Sequence, residues 1–313
     1  MGAGHEHAPG RVAGAGLFMS TPSGAVYDRG YRPYTGARGG RWSPVVALWR
    51  ASMRRALGLR RSWRQKLLPW SLLAVVTIPA AVNVGIAYVT RDTPLEGFSI
   101  ITYRTYLGVS SALLLFVALT APDVVCPDRR HRALSLILAR PVTGTGYALA
   151  KLAAIFTLVL GFTLVPQALL FVGQMLVSPH GAIDYVNANA GVLWRVPAAA
   201  VALALYYAAL GVGLASLTGR RLVAGATFIG LLLVSSAVAG TLTSGRGGEG
   251  AGGAVNLLGL PLYVRDLIFL GRIDPGSPLG GTDGGGVLAL GSYLGVVALS
   301  GGTLLARYRR GEA

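Results

Sequence analysis

Six apolar stretches, each about 20 residues long and almost free of charge, constrain this chain more than any other feature. They fall at about 67–89, 106–125, 152–177, 197–217, 222–243 and 287–306. A helix of about 20 apolar residues matches the roughly 30 Å hydrocarbon core of a bilayer. The bilayer interior offers backbone groups no water, so each stretch is predicted to be a helix. Composition agrees: 53% of residues are apolar and only 13% are charged, against about 25% charged in soluble domains. The 45 glycines follow no collagen period, and glycine is tolerated in membrane helices. The chain reads as an all-α polytopic membrane protein with six transmembrane helices in a domain at 67–306.

The segments between the spans are unequal. Residues 1–42 are rich in Gly and Arg and are predicted to be a disordered basic tail without a cleavable signal peptide. His5-Glu6-His7 reads as part of that solvated tail. Over 43–66, Val46, Trp49, Met53 and Leu57 share a helical face, while Arg50, Arg54, Arg55, Arg61 and Arg64 crowd the rest. Ser43-Pro44 is a helix start. The segment is predicted to be an amphipathic interface helix ahead of the first span. A target helix for a partner protein and a nucleic-acid arm are alternatives for the same pattern. Polar loops are predicted at 91–104 and 178–196, and a tight basic turn at 218–221. Residues 245–253 read as flexible. The apolar run 254–270 is interrupted by Arg265 and Asp266, each costing roughly 2.5–3.5 kcal/mol at a span centre. It is predicted to be a re-entrant or extracellular helical hairpin.

Six crossings place both termini on one side. That side carries 22 Lys and Arg against 6 on the other, and the comparison is 10 against 6 without 1–66. The positive-inside rule makes it the cytoplasmic side. The C-terminal tail, 307–313, then lies inside with Arg307, Arg309 and Arg310. The net charge of +16 sits outside the apolar runs, so anionic lipid is the expected partner and nucleic acid is not.

Catalytic chemistry is sparse. There is no G-x-x-x-x-G-K-[ST] loop for phosphates. Gly144-Thr145-Gly146 continues into no dinucleotide fingerprint and reads as a turn. Gly108-Val109-Ser110-Ser111 echoes a serine nucleophile, but His5, His7, His131 and His180 all lie outside the spans and supply no intramembrane base. The lone Cys126 completes no metal site. No catalytic residue, metal or cofactor is assigned to the chain. Asn83, Gln167 and Gln174 are the polar span residues that are candidates to line a path. Helix packing explains each equally well.

One linker has internal order. In 127–151, the basic residues Arg129, Arg130 and Arg132 open a short amphipathic segment, 133–139, with Leu134, Leu136, Ile137 and Leu138. Arg140-Pro141 stops it, and Tyr147 and Lys151 lead into the third span. The pattern predicts a cytoplasmic helical knob. A solvated basic loop is the plainer alternative.

Asp128, 133–139, Arg140-Pro141, Tyr147 and Lys151 together resemble the loop between spans 2 and 3 of the ABC-2 (type V exporter) permease family of ATP-binding-cassette transporters. The basic run 129–132 stands where that family commonly has glycine. Residues 20–41 are also similar to the starts of many actinobacterial permeases. The resemblance implies a permease subunit in a bacterial plasma membrane, paired with a second six-span permease copy or homologue as a dimer. It implies a separate ATPase subunit that holds ATP and Mg. The contact residues it implies are Asp128, Arg129, Arg132, Leu134, Leu136, Ile137, Leu138, Arg140, Pro141, Tyr147 and Lys151. The competing class is a membrane anchor that recruits a cytoplasmic partner without transport.

Overall fold

The computed structural model describes residues 40, 42–59, 63–91, 93, 100–107, 111–130, 142–244 and 249–309. Among the described residues there is no strand. The helices are α1 (Ser43–Ala56), α2 (Trp63–Thr90), α3 (Tyr103–Tyr106), α4 (Ser111–Arg130), α5 (Gly144–Val177), α6 (Ala182–Ala188), α7 (Ala190–Leu217), α8 (Arg221–Thr243), α9 (Glu249–Val255), α10 (Leu260–Leu270) and α11 (Gly285–Arg309). Six spans are long and apolar enough to cross a membrane: Lys66–Thr90, Tyr103–Arg130, Gly144–Val177, Ala190–Leu217, Arg221–Thr243 and Gly285–Arg309. The protein is a multi-pass membrane protein.

Burial ranks these helices. In the most apolar window of α7, 72% of residues are buried, and 69% in the second span, against 11% in α2 and 17% in α11. The bundle is therefore built around α7 and α4, with α5, α8 and α11 packed on α7. Tyrosines lock α7 in place. Tyr206 donates to the Leu257 carbonyl at 2.8 Å, and Tyr293 of α11 donates to the Ala202 carbonyl at 2.8 Å. The two rings stack 5.4 Å apart, so each carries apolar contact and a satisfied hydroxyl.

Small residues let the backbones approach. Pro122 has no N–H, so the Ala118 carbonyl four residues earlier loses its helical partner. Gly225 of α8 packs on that oxygen, where an added Cβ would stand 2.7 Å away. Gly225→Ala is expected to lower stability by about 1–3 kcal/mol through overpacking. Gly230, with open space around its Cβ position, is the control, and Gly230→Ala is expected to leave the detergent melting midpoint unchanged or slightly raised. Equal midpoints for the two variants would contradict this packing.

Several helix bounds differ from expectation. The first helix stops at Ala56 and not at 66, because Gly58 turns the chain at φ +67°. Of its expected apolar face, Met53 and Leu57 pack against the core and Trp49 is half-buried, while Val46 is 39% exposed; Ser52 and Ala56, small enough to lie against α5 and α4, are the most buried residues of the helix. Trp49 Nε1 donates to Thr157 Oγ1 at 3.3 Å. The expected loop 178–196 holds α6 and the first turns of α7, with Pro197 inside the helix. A proline that early forfeits only the Leu193 carbonyl, near the helix end. The region read as flexible to 253 contains α9 from Glu249 on, while 245–248 lie outside the described residues. Its glycines serve close packing: a Cβ on Gly253 would collide with the Leu279 side chain, and one on Gly252 would meet the Ala239 carbonyl at 2.9 Å. With 11 residues, α10 is about 16 Å long, too short to cross.

Candidate functional site

The linker 127–151 begins in α4 and ends in α5. Its middle, 131–141, with Arg132, Leu134, Leu136, Ile137, Leu138, Arg140 and Pro141, lies outside the described residues. Both of its roots are described. Residues 144–146, expected as a turn, are instead the first turn of α5. Thr143 caps it, its Oγ1 accepting from the Gly146 amide at 3.1 Å. A Cβ on Gly146 would stand 3.2 Å from that oxygen and 3.4 Å from Val45 of α1, so glycine suits the position.

Starting α5 at Gly144 puts Tyr147 and Lys151 four residues apart on one face. That face meets Asp128 near the end of α4. Lys151 Nζ lies 2.6 Å from Asp128 Oδ2 and donates to the Val124 carbonyl at 2.9 Å. Tyr147 donates to the same Oδ2 at 2.9 Å, and Arg55 of α1 donates to Oδ1 at 2.6 Å. Tyr308, near the end of α11, packs its ring 4.9 Å from that of Tyr147. One carboxylate thus ties α1, α4 and α5 together, with α11 against them. A charge inside a membrane bundle is tolerated when it is paired and hydrogen-bonded, and both conditions hold here.

Asp128, Tyr147 and Lys151 are 5%, 0% and 1% exposed. They were expected as contacts for a partner, and in this structure they offer no surface to one. They fix the two ends of 131–141 instead. Arg129 is half-buried and donates to the Ser216 carbonyl at the end of α7, a favourable place for a cation. Cys126 Sγ lies 3.5 Å from the Thr218 carbonyl. The role of Arg55 was not foreseen. The available signal was a carboxylate in an otherwise basic linker, which needs a cation from elsewhere once it is buried.

The three candidate path residues lie toward the opposite end of the bundle, engaged in holding 100–107. Asn83 Oδ1 accepts from the Ile100 amide at 3.1 Å. Gln167 Nε2 donates to the Tyr103 carbonyl at 3.3 Å. Gln174 Oε1 accepts from Tyr103 at 2.8 Å and from Tyr185 at 2.7 Å. Only Gln167 keeps a buried unpaired oxygen, beside a cavity of about 270 Å³ between α2, α4 and α5. At the same end, Arg265 clasps Asp266 Oδ1 at 2.7 Å. Arg104 reaches Asp266 at 3.5 Å and Asp274 at 3.0 Å. The Gly276 amide and then the Arg104 guanidinium hold the Asp274 carboxyl below its usual range.

Among the described residues, no three His, Cys, Asp or Glu side chains gather in a way that could hold a metal ion. No protein-family model, no curated protein and no solved structure matches the chain.

Proposed function

We propose that the chain is the permease subunit of an ATP-binding-cassette transporter of the exporter kind, and that 131–141 is its contact with a separate ATPase subunit. The observation that carries this reading is the buried clamp at the roots of that segment. A connecting loop between two spans needs no ion pair shared by three helices. A loop that transmits force does, because a load on it must move α4 and α5 and not merely bend the chain. Buried ion pairs are weak sources of stability and their best-attested use is to fix register.

In this reading ATP and Mg belong to the partner subunit, and the chain contributes no catalytic group. Leu134, Leu136, Ile137 and Leu138 supply apolar contact, and Arg132 and Arg140 supply charge complementarity. The segment lies on the cytoplasmic side of a bacterial plasma membrane with both termini. The first helix lies in the interface on that side, α9 and α10 form the hairpin opposite, and two six-span subunits make the transporter. The sequence pattern of 127–151 supports the family, and the charge asymmetry supports the orientation.

The test is an ATPase assay on complexes captured from native membranes through this chain. Captured ATPase activity is expected, and Leu136→Asp and Arg140→Glu are each expected to abolish it while the chain stays in the membrane. Capture of a cytoplasmic partner without ATPase activity would favour the anchoring alternative and overturn the transporter reading.

A further inference from the structure

The Asp128 end of the bundle has a second feature, which shares only Arg129 with the implied contact residues. Between the last turn of α4 and the turn joining α7 to α8 lies a notch of about 900 Å³, walled by Arg129, Arg130, Arg220 and Arg221. Arg221 is paired with Asp123 at 2.7 Å, and Arg129 gives one donor to Ser216. Among the described residues no carboxylate pairs with Arg130 or Arg220. The start of α8 also opens here. Its N-cap, Arg220, makes no side-chain cap, so the first-turn N–H groups of Arg221, Leu222 and Val223, residues that line the notch, have no acceptor from the cap.

The notch shares Arg221 and Leu222 with a groove of about 580 Å³ between α2, α4 and α8. Its walls are apolar, with Leu68 and Leu72 on α2, Leu115 and Leu119 on α4, and Ala226 and Ile229 on α8. Charge appears only at the mouth, as Arg55, Asp123 and Arg221. From Leu115 to Asp123 the floor runs about 12 Å along α4, close to the roughly 15 Å hydrocarbon depth of one leaflet. Arginines at the membrane surface above an apolar slot one leaflet deep match one ligand shape: a phosphate head on two acyl chains.

We propose that the α4–α7–α8 notch and the groove below it form a binding site for one anionic phospholipid, its phosphate among Arg130, Arg220 and the start of α8 and its chains along α4. The inference depends on the membrane bundle alone and is independent of the identity of any ATPase partner.

The experiment uses the full chain in nanodiscs of phosphatidylcholine, titrated with phosphatidylglycerol, with retained lipid read by native mass spectrometry. Selective retention of one phosphatidylglycerol is expected. Arg130→Ala with Arg220→Ala is expected to weaken it about thirtyfold, from about 1 kcal/mol for each arginine at the surface. Ala226→Trp, an exposed position inside the groove, is expected to release the lipid without removing charge. Arg307→Ala with Arg309→Ala removes the same charge from exposed positions at the end of α11 and is expected to cost less than about threefold. Equal losses in the two arginine pairs would reduce the effect to general surface charge and overturn the site. Full retention by Ala226→Trp would remove the groove from it. Displacement by millimolar inorganic phosphate would make it a site for free anions and overturn the lipid assignment.

Discussion

Asp128→Leu is expected to lower stability by about 3–5 kcal/mol, because it leaves Lys151 buried without its carboxylate. Lys151 is 1% exposed, and its other contacts are a carbonyl and the Tyr147 ring, 5.2 Å from Nζ. Neither carries a full negative charge. Arg55 is different: its side chain is 39% exposed, so on losing Asp128 it turns to water. Asp128→Leu combined with Lys151→Met is expected to recover most of the loss, because an apolar pair of similar volume often replaces a buried ion pair without cost. Melting in detergent, followed by tryptophan fluorescence, separates the three variants. A loss below about 1 kcal/mol for Asp128→Leu would place the pair in a solvated setting and contradict the clamp.

The second large effect is expected at the other end. Asp266 is 4% exposed and pairs with both Arg265 and Arg104. Asp266→Ala leaves the Arg265 guanidinium, whose side chain is 11% exposed, without a carboxylate, while Arg104 keeps Asp274, and is expected to cost about 3 kcal/mol. The strain falls on α10 and the turn after it, since Arg265 also donates to the Leu107 carbonyl at 3.4 Å and Arg104 holds Asp274. Limited proteolysis is therefore expected to cut between α10 and α11 in the variant and not in the parent. Unchanged cleavage and an unchanged midpoint would show that the apolar packing of α10 on α7 and α11 holds this segment without the charges.

The spans were legible because their signal is local. An uncharged run of about 20 residues needs no partner to be recognised, and six such runs became six helices long and apolar enough to cross. Arg265 and Asp266 marked α10 as too charged to cross, and its length agrees. What failed were features set by neighbours. The apolar face read for α1 does turn inward at Trp49, Met53 and Leu57, but that the small Ser52 and Ala56 lie deepest depends on how closely α1 approaches α5, which its own periodicity does not contain. The extra turns of α5 before the apolar run depend on the Thr143 cap and on a cation for Asp128 brought from Arg55, 73 residues away. Asn83, Gln167 and Gln174 stood out because polar residues in spans are rare. Only their hydrogen bonds to 100–107 and Tyr185 show what occupies them. Asp128, Tyr147 and Lys151 were singled out together and do come together, though buried and not presented to a partner.

The most direct measurement of the central claim is site-specific photo-crosslinking in intact membranes, with a photoreactive residue at Leu136 and, as the control, at the exposed Leu176 near the far end of α5. A crosslink from position 136 to a protein carrying a phosphate-binding G-x-x-x-x-G-K-[ST] loop, absent from position 176, is the predicted result. Crosslinks from position 136 to lipid alone, or to a protein without such a loop, would contradict the coupling of this membrane bundle to an ATPase.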